Sequence, residues 1–389
     1  MEKENVTGII GSGTMGSGIA QAIAMAQRQV ILYDTNRDAL ARAKNEISAG
    51  LENLLQKGKI NAVQKEDALG RIRFVSETAS FKTCSLVIEA IVENLAAKQS
   101  VFRTLEKVIS PGCVLATNTS SLSVTAIASV CEIPGRVIGM HFFNPAHLMP
   151  LVEIVPGLNT DSGLSLRIKQ MVHELGKVPV IAKDTPGFIV NRLARPFYGE
   201  AIRILEEQIA DIATIDWAMK DAGGFRMGPF ELMDLIGNDI NYTVTETVWR
   251  ELFCDPRYTP SLTQKRLVEA KRFGRKSGQG YYDYSPGAEM PMPLKDKQTG
   301  EKIFMRILSM LVNEAADALY LGIASKEDID LAMTRGVNYP KGLLRWADEI
   351  GAEKILDVLS SLREEYAESR YRPSVLLKKM VSAGAKFYL

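Results

Sequence analysis

The chain has 389 residues, 46% hydrophobic and 24% charged, a balance that fits a globular protein of more than one domain. Lysine and arginine number 47 against 46 acids, with no basic segment, so neither nucleic acid nor an anionic membrane is an expected partner. No apolar run reaches membrane-spanning length, the first residues lack the apolar core of a leader, and Cys84, Cys113, Cys131 and Cys254 are scattered without metal-binding spacing; a reducing, cytoplasmic setting is the expectation.

Val6 to Ile10 reads as a buried strand that runs into Gly11-Ser12-Gly13-Thr14-Met15-Gly16 and then a helix carrying Ile19, Ala22, Ile23 and Ala26. A second strand, Val30 to Tyr33, ends at Asp34, eighteen residues after the last glycine. A glycine triplet alone is a weak signal. Between a strand and a helix, with an acid at that distance, it becomes a dinucleotide-binding fingerprint. Gly11 makes the tight turn, Gly13 lets the backbone approach a pyrophosphate, and Gly16 allows close helix–strand packing. Thr14 and Met15 belong to the same cofactor-binding turn, and the helix N-terminus supplies N–H donors and positive dipole. Asp34 accepts from the adenine ribose hydroxyls and repels a 2′-phosphate, which favours NAD over NADP.

Further strands are predicted at 72–75, 86–88, 114–116, 137–140, 152–155 and 178–181, alternating with helical patterns. That alternation implies a Rossmann-type, doubly wound α/β fold with a mostly parallel sheet. Residues 36–70 have room for a helical hairpin, with Lys57, Lys59 and Lys65 in its second part as candidates for an anionic substrate tail. Glu93 falls just past the second of these strands, 86–88, and Asn118-Thr119-Ser120-Ser121 just past the next, on the edge where open α/β sheets bind ligands. Glu89 reads equally well as a packing or capping residue.

There are three histidines. His173 lies on an amphipathic helical stretch, and His147 follows Pro145 in a loop. His141 ends the predicted strand 137–140, and twelve residues later Glu153 stands alone in an apolar strand. A buried carboxylate needs a partner. Oxidising a secondary alcohol needs a base with a near-neutral pKa, and a carboxylate can hold the imidazole in one tautomer.

These segments, together with Asp184-Thr185-Pro186-Gly187-Phe188-Ile189-Val190-Asn191-Arg192, resemble the 3-hydroxyacyl-CoA dehydrogenases over residues 5 to 284. The resemblance implies oxidation of an L-(S)-3-hydroxyacyl-CoA thioester by NAD, with a short chain such as 3-hydroxybutyryl-CoA as the expected substrate. It implies that His141 is the general base and Glu153 its orienting carboxylate, and that Ser120 and Asn191 hydrogen-bond the substrate oxygen. Glu93 and Lys98 match residues on the nicotinamide side of the cofactor, Asn118 joins the cofactor-binding set, and Lys57 falls where relatives meet the coenzyme A nucleotide. A related NAD-dependent hydroxy-acid or sugar-acid dehydrogenase is the alternative.

After Pro186 the pattern is helical and repeats. Shifted by 114 residues, positions 200–237 match 314–351 at thirteen of 38 places, and Arg257-Tyr258 recurs as Arg370-Tyr371. The expected organisation is a NAD-binding domain over 1–186, a first helical copy over 187–284, a proline-bearing linker over 285–301 and a second copy over 302–389. Met305 stands where Asn191 would be, so copy two reads as structural. The assembly is expected to be a homodimer, or a monomer in which the copies form an internal pseudo-dimer.

Overall fold

The computed structural model describes residues 6–388, and the chain divides into two compact units at Thr185/Pro186. In the first, eight strands form one sheet: β1 (Thr7–Ile10), β2 (Val30–Tyr33), β3 (Ile72–Val75), β4 (Leu86–Glu89), β5 (Val114–Thr117), β6 (Val137–Phe142), β7 (Leu151–Pro156) and β8 (Val178–Ile181). Their order is β3-β2-β1-β4-β5-β6-β7-β8, with every neighbouring pair parallel except β6 and β7. The central strands are apolar end to end because helices cover both faces, as parallel sheets require. Helices α1 (Thr14–Met25), α2 (Arg37–Gln56), α3 (Ala62–Gly70), α4 (Leu95–Glu106), α5 (Val124–Ala128) and α6 (Leu164–Glu174) complete the unit. Ile19 and Ile23 of α1, Ile47 and Leu51 of α2 and Ile168 and Val172 of α6 pack with Ile9, Leu32 and Ile88 in one core.

Two helices do lie in the 36–70 segment. Asn36 caps α2 by accepting from the backbone of Asp38 and Ala39, and Asn61 and Gln64 form a capping box at the start of α3. Strand β6 extends through His141 and Phe142, one correction to the 137–140 reading. A strand that continues into residues with their own cross-strand partners has no reason to stop before them.

The second unit is helical: α7 (Val190–Leu193), α8 (Arg195–Glu206), α9 (Ile212–Asp221), α10 (Pro229–Ile236), α11 (Asn238–Glu251), α12 (Leu262–Glu269), α13 (Lys297–Tyr320), α14 (Lys326–Gly336), α15 (Leu343–Ile350), α16 (Ala352–Tyr366) and α17 (Val375–Ala383). The sequence repeat is a repeat of elements, since α9 to α12 correspond in order to α14 to α17. Its details recur too. Asp216 accepts from the backbone of Phe230 and Glu231 at the start of α10, and Asp330 does the same for Leu344 and Arg345 at α15. A Cβ at Gly228 or Gly342 would lie 2.3 Å from the respective aspartate, so the repeated glycine and the repeated acid require one another. Asp234 holds the backbone of Tyr281 and Tyr282, and Asp348 holds that of Phe387 and Tyr388, closing each copy with the same hook.

The linker ends earlier than the 285–301 reading. Asp296 accepts from Thr299 N and starts α13 at Lys297. This aspartate was the missed start signal. Among the described residues no helix is long and apolar enough to cross a membrane.

Candidate active site

The turn after β1 is shaped to admit a phosphate. Gly11 has φ +95°, and a Cβ there would lie 2.6 Å from Ala90 O; at Gly16 it would lie 1.8 Å from Gly11 O. Gly13, by contrast, has nothing within 4 Å of that position among the described residues, so its face is open. It also caps α1 without a side-chain hydrogen bond, so no side chain competes with an anion for the first N–H groups, those of Thr14, Met15 and Gly16. Asp34 follows β2 and accepts from Ser12 N and Ser12 Oγ, both at 2.9 Å, and from Asn36 N. Burial works to raise its pKa, but these donors outweigh burial and hold it below the usual value. A cavity of about 340 Å³ opens beside it, lined by Gly11, Tyr33, Asp34, Ile91 and Val101 among others. A fixed carboxylate, an open glycine and an uncapped helix start together fit an adenosine diphosphate moiety.

The antiparallel pair β6–β7 sets His141 directly opposite Glu153. Opposed residues share a face of the sheet within side-chain reach, and His141 Nδ1 lies 2.6 Å from Glu153 Oε2. Glu153 is fully buried and His141 is 6% exposed. Lys177 fixes the connection between the two strands by donating to Ala146 O and Met149 O, each at 2.7 Å, and burial pushes its ammonium down to about 8.

The ends of β4 and β5 carry a second polar cluster. Glu93 Oε1 accepts from Thr119 Oγ1 (2.6 Å) and Ser120 N (2.8 Å), with Ser120 Oγ at 3.3 Å. Its pKa is lowered: burial opposes the shift, and the Lys98 charge and these donors overcome it. Lys98 is buried, with Nζ 2.7 Å from Glu89 and 3.2 Å from Glu93. It therefore stands behind Glu93 rather than facing a ligand itself, a refinement of its expected place at the cofactor. Glu89, which the sequence left open as a packing residue, is the hub here: it also accepts from Thr117 Oγ1 and Ile91 N, both at 2.7 Å. Asn118 Oδ1 accepts from Phe142 N at 2.9 Å and ties this cluster to the strand of His141.

Asn191 sits on α7 in the second unit. Lys57 is the exposed C-cap of α2. Lys65 pairs with Glu52 at 2.9 Å across the hairpin. His173 is exposed on α6, as read from the sequence. His147 is half-buried, and burial lowers its pKa.

The second unit also holds ion pairs that no local pattern announces. Arg192, next to Asn191, donates to Glu314 at 2.6 Å, and Arg257 reaches the same carboxylate at 3.1 Å. The repeat supplies the mirror arrangement: Arg306 donates to Glu200 at 3.1 Å, and Tyr371 to the same carboxylate at 3.0 Å.

Fold and cradle define a dinucleotide-binding protein. A family model described as "3-hydroxyacyl-CoA dehydrogenase, NAD binding domain" matches residues 6–185, and "3-hydroxyacyl-CoA dehydrogenase, C-terminal domain" matches twice, over 187–284 and 303–386. The chain belongs to the 3-hydroxyacyl-CoA dehydrogenase family, and its cofactor is NAD. It is similar to 3-hydroxyadipyl-CoA dehydrogenase of Escherichia coli K12, at 38% identity over 95% of this chain and 96% of that one. A probable 3-hydroxybutyryl-CoA dehydrogenase of Deinococcus radiodurans is 40% identical over 71% of this chain and 99% of its own length. The crystal structure of 3-hydroxybutyryl-CoA dehydrogenase from Escherichia coli K12 superposes with a TM-score of 0.93 at 36% identity, covering 97% and 98% of the two chains.

Proposed function

We propose that the protein interconverts a short-chain L-(S)-3-hydroxyacyl-CoA and the corresponding 3-oxoacyl-CoA, with His141 as general base and Glu153 as the residue that orients it. The observation carrying this reading is the buried 2.6 Å contact between His141 Nδ1 and Glu153 Oε2 on opposed strands. With Nδ1–H donated to the carboxylate, Nε2 is the nitrogen that takes the hydroxyl proton, and Glu153 stabilises the imidazolium that results. NAD, when bound, supplies the hydride acceptor. Ser120 and Asn191 are assigned by family resemblance to the substrate oxygen, where donors support the charge that develops. Glu93 borders the nicotinamide side, with Lys98 steadying its charge from behind. Exposed Lys57 is assigned to the coenzyme A phosphates.

The named relatives act on a four-carbon and a six-carbon acyl group, so short chains are the class to test first. We further propose that the two helical copies act as an internal pseudo-dimer, which the reciprocal Arg192–Glu314 and Arg306–Glu200 pairs support, and that the enzyme works in the cytoplasm. Mixing the protein with NADH and acetoacetyl-CoA tests the reaction, with free acetoacetate and NADPH as controls. Loss of nicotinamide absorbance with the thioester and NADH is the expected result. Turnover of the free acid instead would overturn it.

A further inference from the structure

Five arginines are buried in the second unit. Four meet a carboxylate: Arg192 and Arg257 at Glu314, Arg306 and Arg370 at Glu200 and Glu207. Arg195 does not. Its Nε donates to Asn191 O at 2.9 Å, its Nη1 to Thr245 Oγ1 at 3.0 Å and Asn241 O at 3.4 Å, and its guanidinium lies over the Tyr198 ring at 4.9 Å. The Tyr339 ring packs against Phe197 of the same helix, and its buried hydroxyl has no hydrogen-bond partner among the described residues. A buried cation with only neutral partners is costly unless an anion completes it.

The repeat separates framework from function at this point. Arg192, Glu200 and Tyr258 recur in copy two as Arg306, Glu314 and Tyr371. Around Arg195 nothing recurs. Asn191, Arg195, Tyr198, Asn241 and Thr245 become Met305, Ser309, Val312, Ile355 and Leu359. A polar constellation around a guanidinium has thus been kept only in the copy that carries Asn191. The second copy forms the corresponding helices, α14 to α17, without it.

From this we infer that Arg195 receives a carboxylate at the far end of the acyl chain, so that the preferred substrates are coenzyme A thioesters of short dicarboxylic acids. The inference rests on the proposed contact of Asn191 with the reacting oxygen. Arg195 opens α8 just after the short helix α7 that carries Asn191, and its Nε holds the Asn191 carbonyl at 2.9 Å, so the guanidinium stands beside the residue assigned to the reacting oxygen, which suits a carboxylate two or three carbons beyond the carbinol. The guanidinium offers its charge, and charge-assisted hydrogen bonds of this kind are the strong ones. A methyl-ended chain of equal length leaves the cation uncompensated. The two substrates named for the relatives differ in this respect, since the adipyl group ends in a carboxylate and the butyryl group in a methyl.

The test compares 3-oxoadipyl-CoA with 3-oxohexanoyl-CoA, thioesters of equal chain length, by NADH oxidation with the full chain. The unmodified enzyme is expected to favour the carboxylate-ended thioester in kcat/KM. Arg195→Met should collapse the ratio of the two kcat/KM values by about 100-fold, the size expected when one member of a buried charge pair is truncated. Arg195→Lys, which keeps the charge without the planar fork, should fall between. Because Arg195 also holds the Asn191 carbonyl, the ratio is the readout, since effects common to both substrates cancel in it. A ratio near one in the unmodified enzyme, or one that Arg195→Met leaves unchanged, overturns the inference. Asn191→Ala tests the underlying reading separately. Slower turnover of both thioesters upholds that reading even if Arg195 fails, whereas rates equal to the unmodified enzyme's remove both.

Discussion

Replacing Glu314 by glutamine removes the one carboxylate that Arg192 meets among the described residues. Glu314 is 1% exposed and accepts from Arg192 Nε, Arg257 Nη1 and the Tyr258 hydroxyl. Arg257 keeps Asp317 at 2.6 Å and Asp255 at 3.0 Å, so one uncompensated guanidinium remains, on Arg192. Breaking a buried pair in this way costs about 3–5 kcal/mol, and glutamine, which can still accept a hydrogen bond, puts the cost near the low end, ~3 kcal/mol. For a unit of this size each kcal/mol lowers Tm by about 2–4 °C, so a fall of roughly 6–12 °C is predicted. Glu200→Gln is the internal control, because Glu200 takes the place of Glu314 in the mirror pair. There the loss should be smaller, since Arg306 retains Glu207 at 2.6 Å and Arg203, which meets Glu200 at 3.3 Å, keeps the Thr259 carbonyl and partial access to water; in copy two the residue equivalent to Glu207 is Leu321. Differential scanning calorimetry of the two variants decides the matter. Equal losses, or a larger one for Glu200→Gln, would refute the reasoning.

Three further outcomes follow from the same structure. Asp34→Ala should raise kcat/KM with NADPH and lower it with NADH by roughly 10–100-fold, because charged hydrogen bonds contribute about 1.5–3 kcal/mol; unchanged discrimination would remove Asp34 from cofactor selection. Acid should weaken the second unit: Glu314, Glu207 and Asp255 have lowered pKa values, burial opposing and the arginines prevailing. The unfolded chain binds those protons first, so their stabilisation is complete above the ordinary glutamate value of 4.5 and is lost as pH falls through the depressed native values; a Tm that does not decline below that point contradicts this. A chain ending at Tyr284 loses α13, whose Ile307, Leu308 and Leu311 are fully buried, and should dimerise or aggregate in size-exclusion chromatography, whereas a stable monomer would refute the pseudo-dimer.

What the sequence made legible was mostly local. The Gly11–Gly16 turn and Asp34 act through backbone conformation and strand-end position, which spacing records directly. The helical repeat was legible because the same contacts, such as Asp216 with Gly228 and Asp330 with Gly342, demand the same residues twice. His141 and Glu153 were visible as an odd histidine and a solitary acid, but a separation of twelve residues does not say that their strands run antiparallel and oppose them. Lys65 and Lys98 looked available as charges because their acidic partners sit a helix or a strand away. The Arg192–Glu314 pair spans 122 residues, and Arg195 looked like one more helical arginine. Only folding shows which cation has no anion.

The central claim, that His141 is the base of a hydride-transfer enzyme, is tested most directly by measuring kcat and NADH affinity together for His141→Ala. The account predicts a loss of about 10²–10⁴-fold in turnover of a 3-oxoacyl-CoA, with NADH binding retained, since the histidine lies apart from the glycine cradle and Asp34. Turnover within a few-fold of the unmodified enzyme would contradict it.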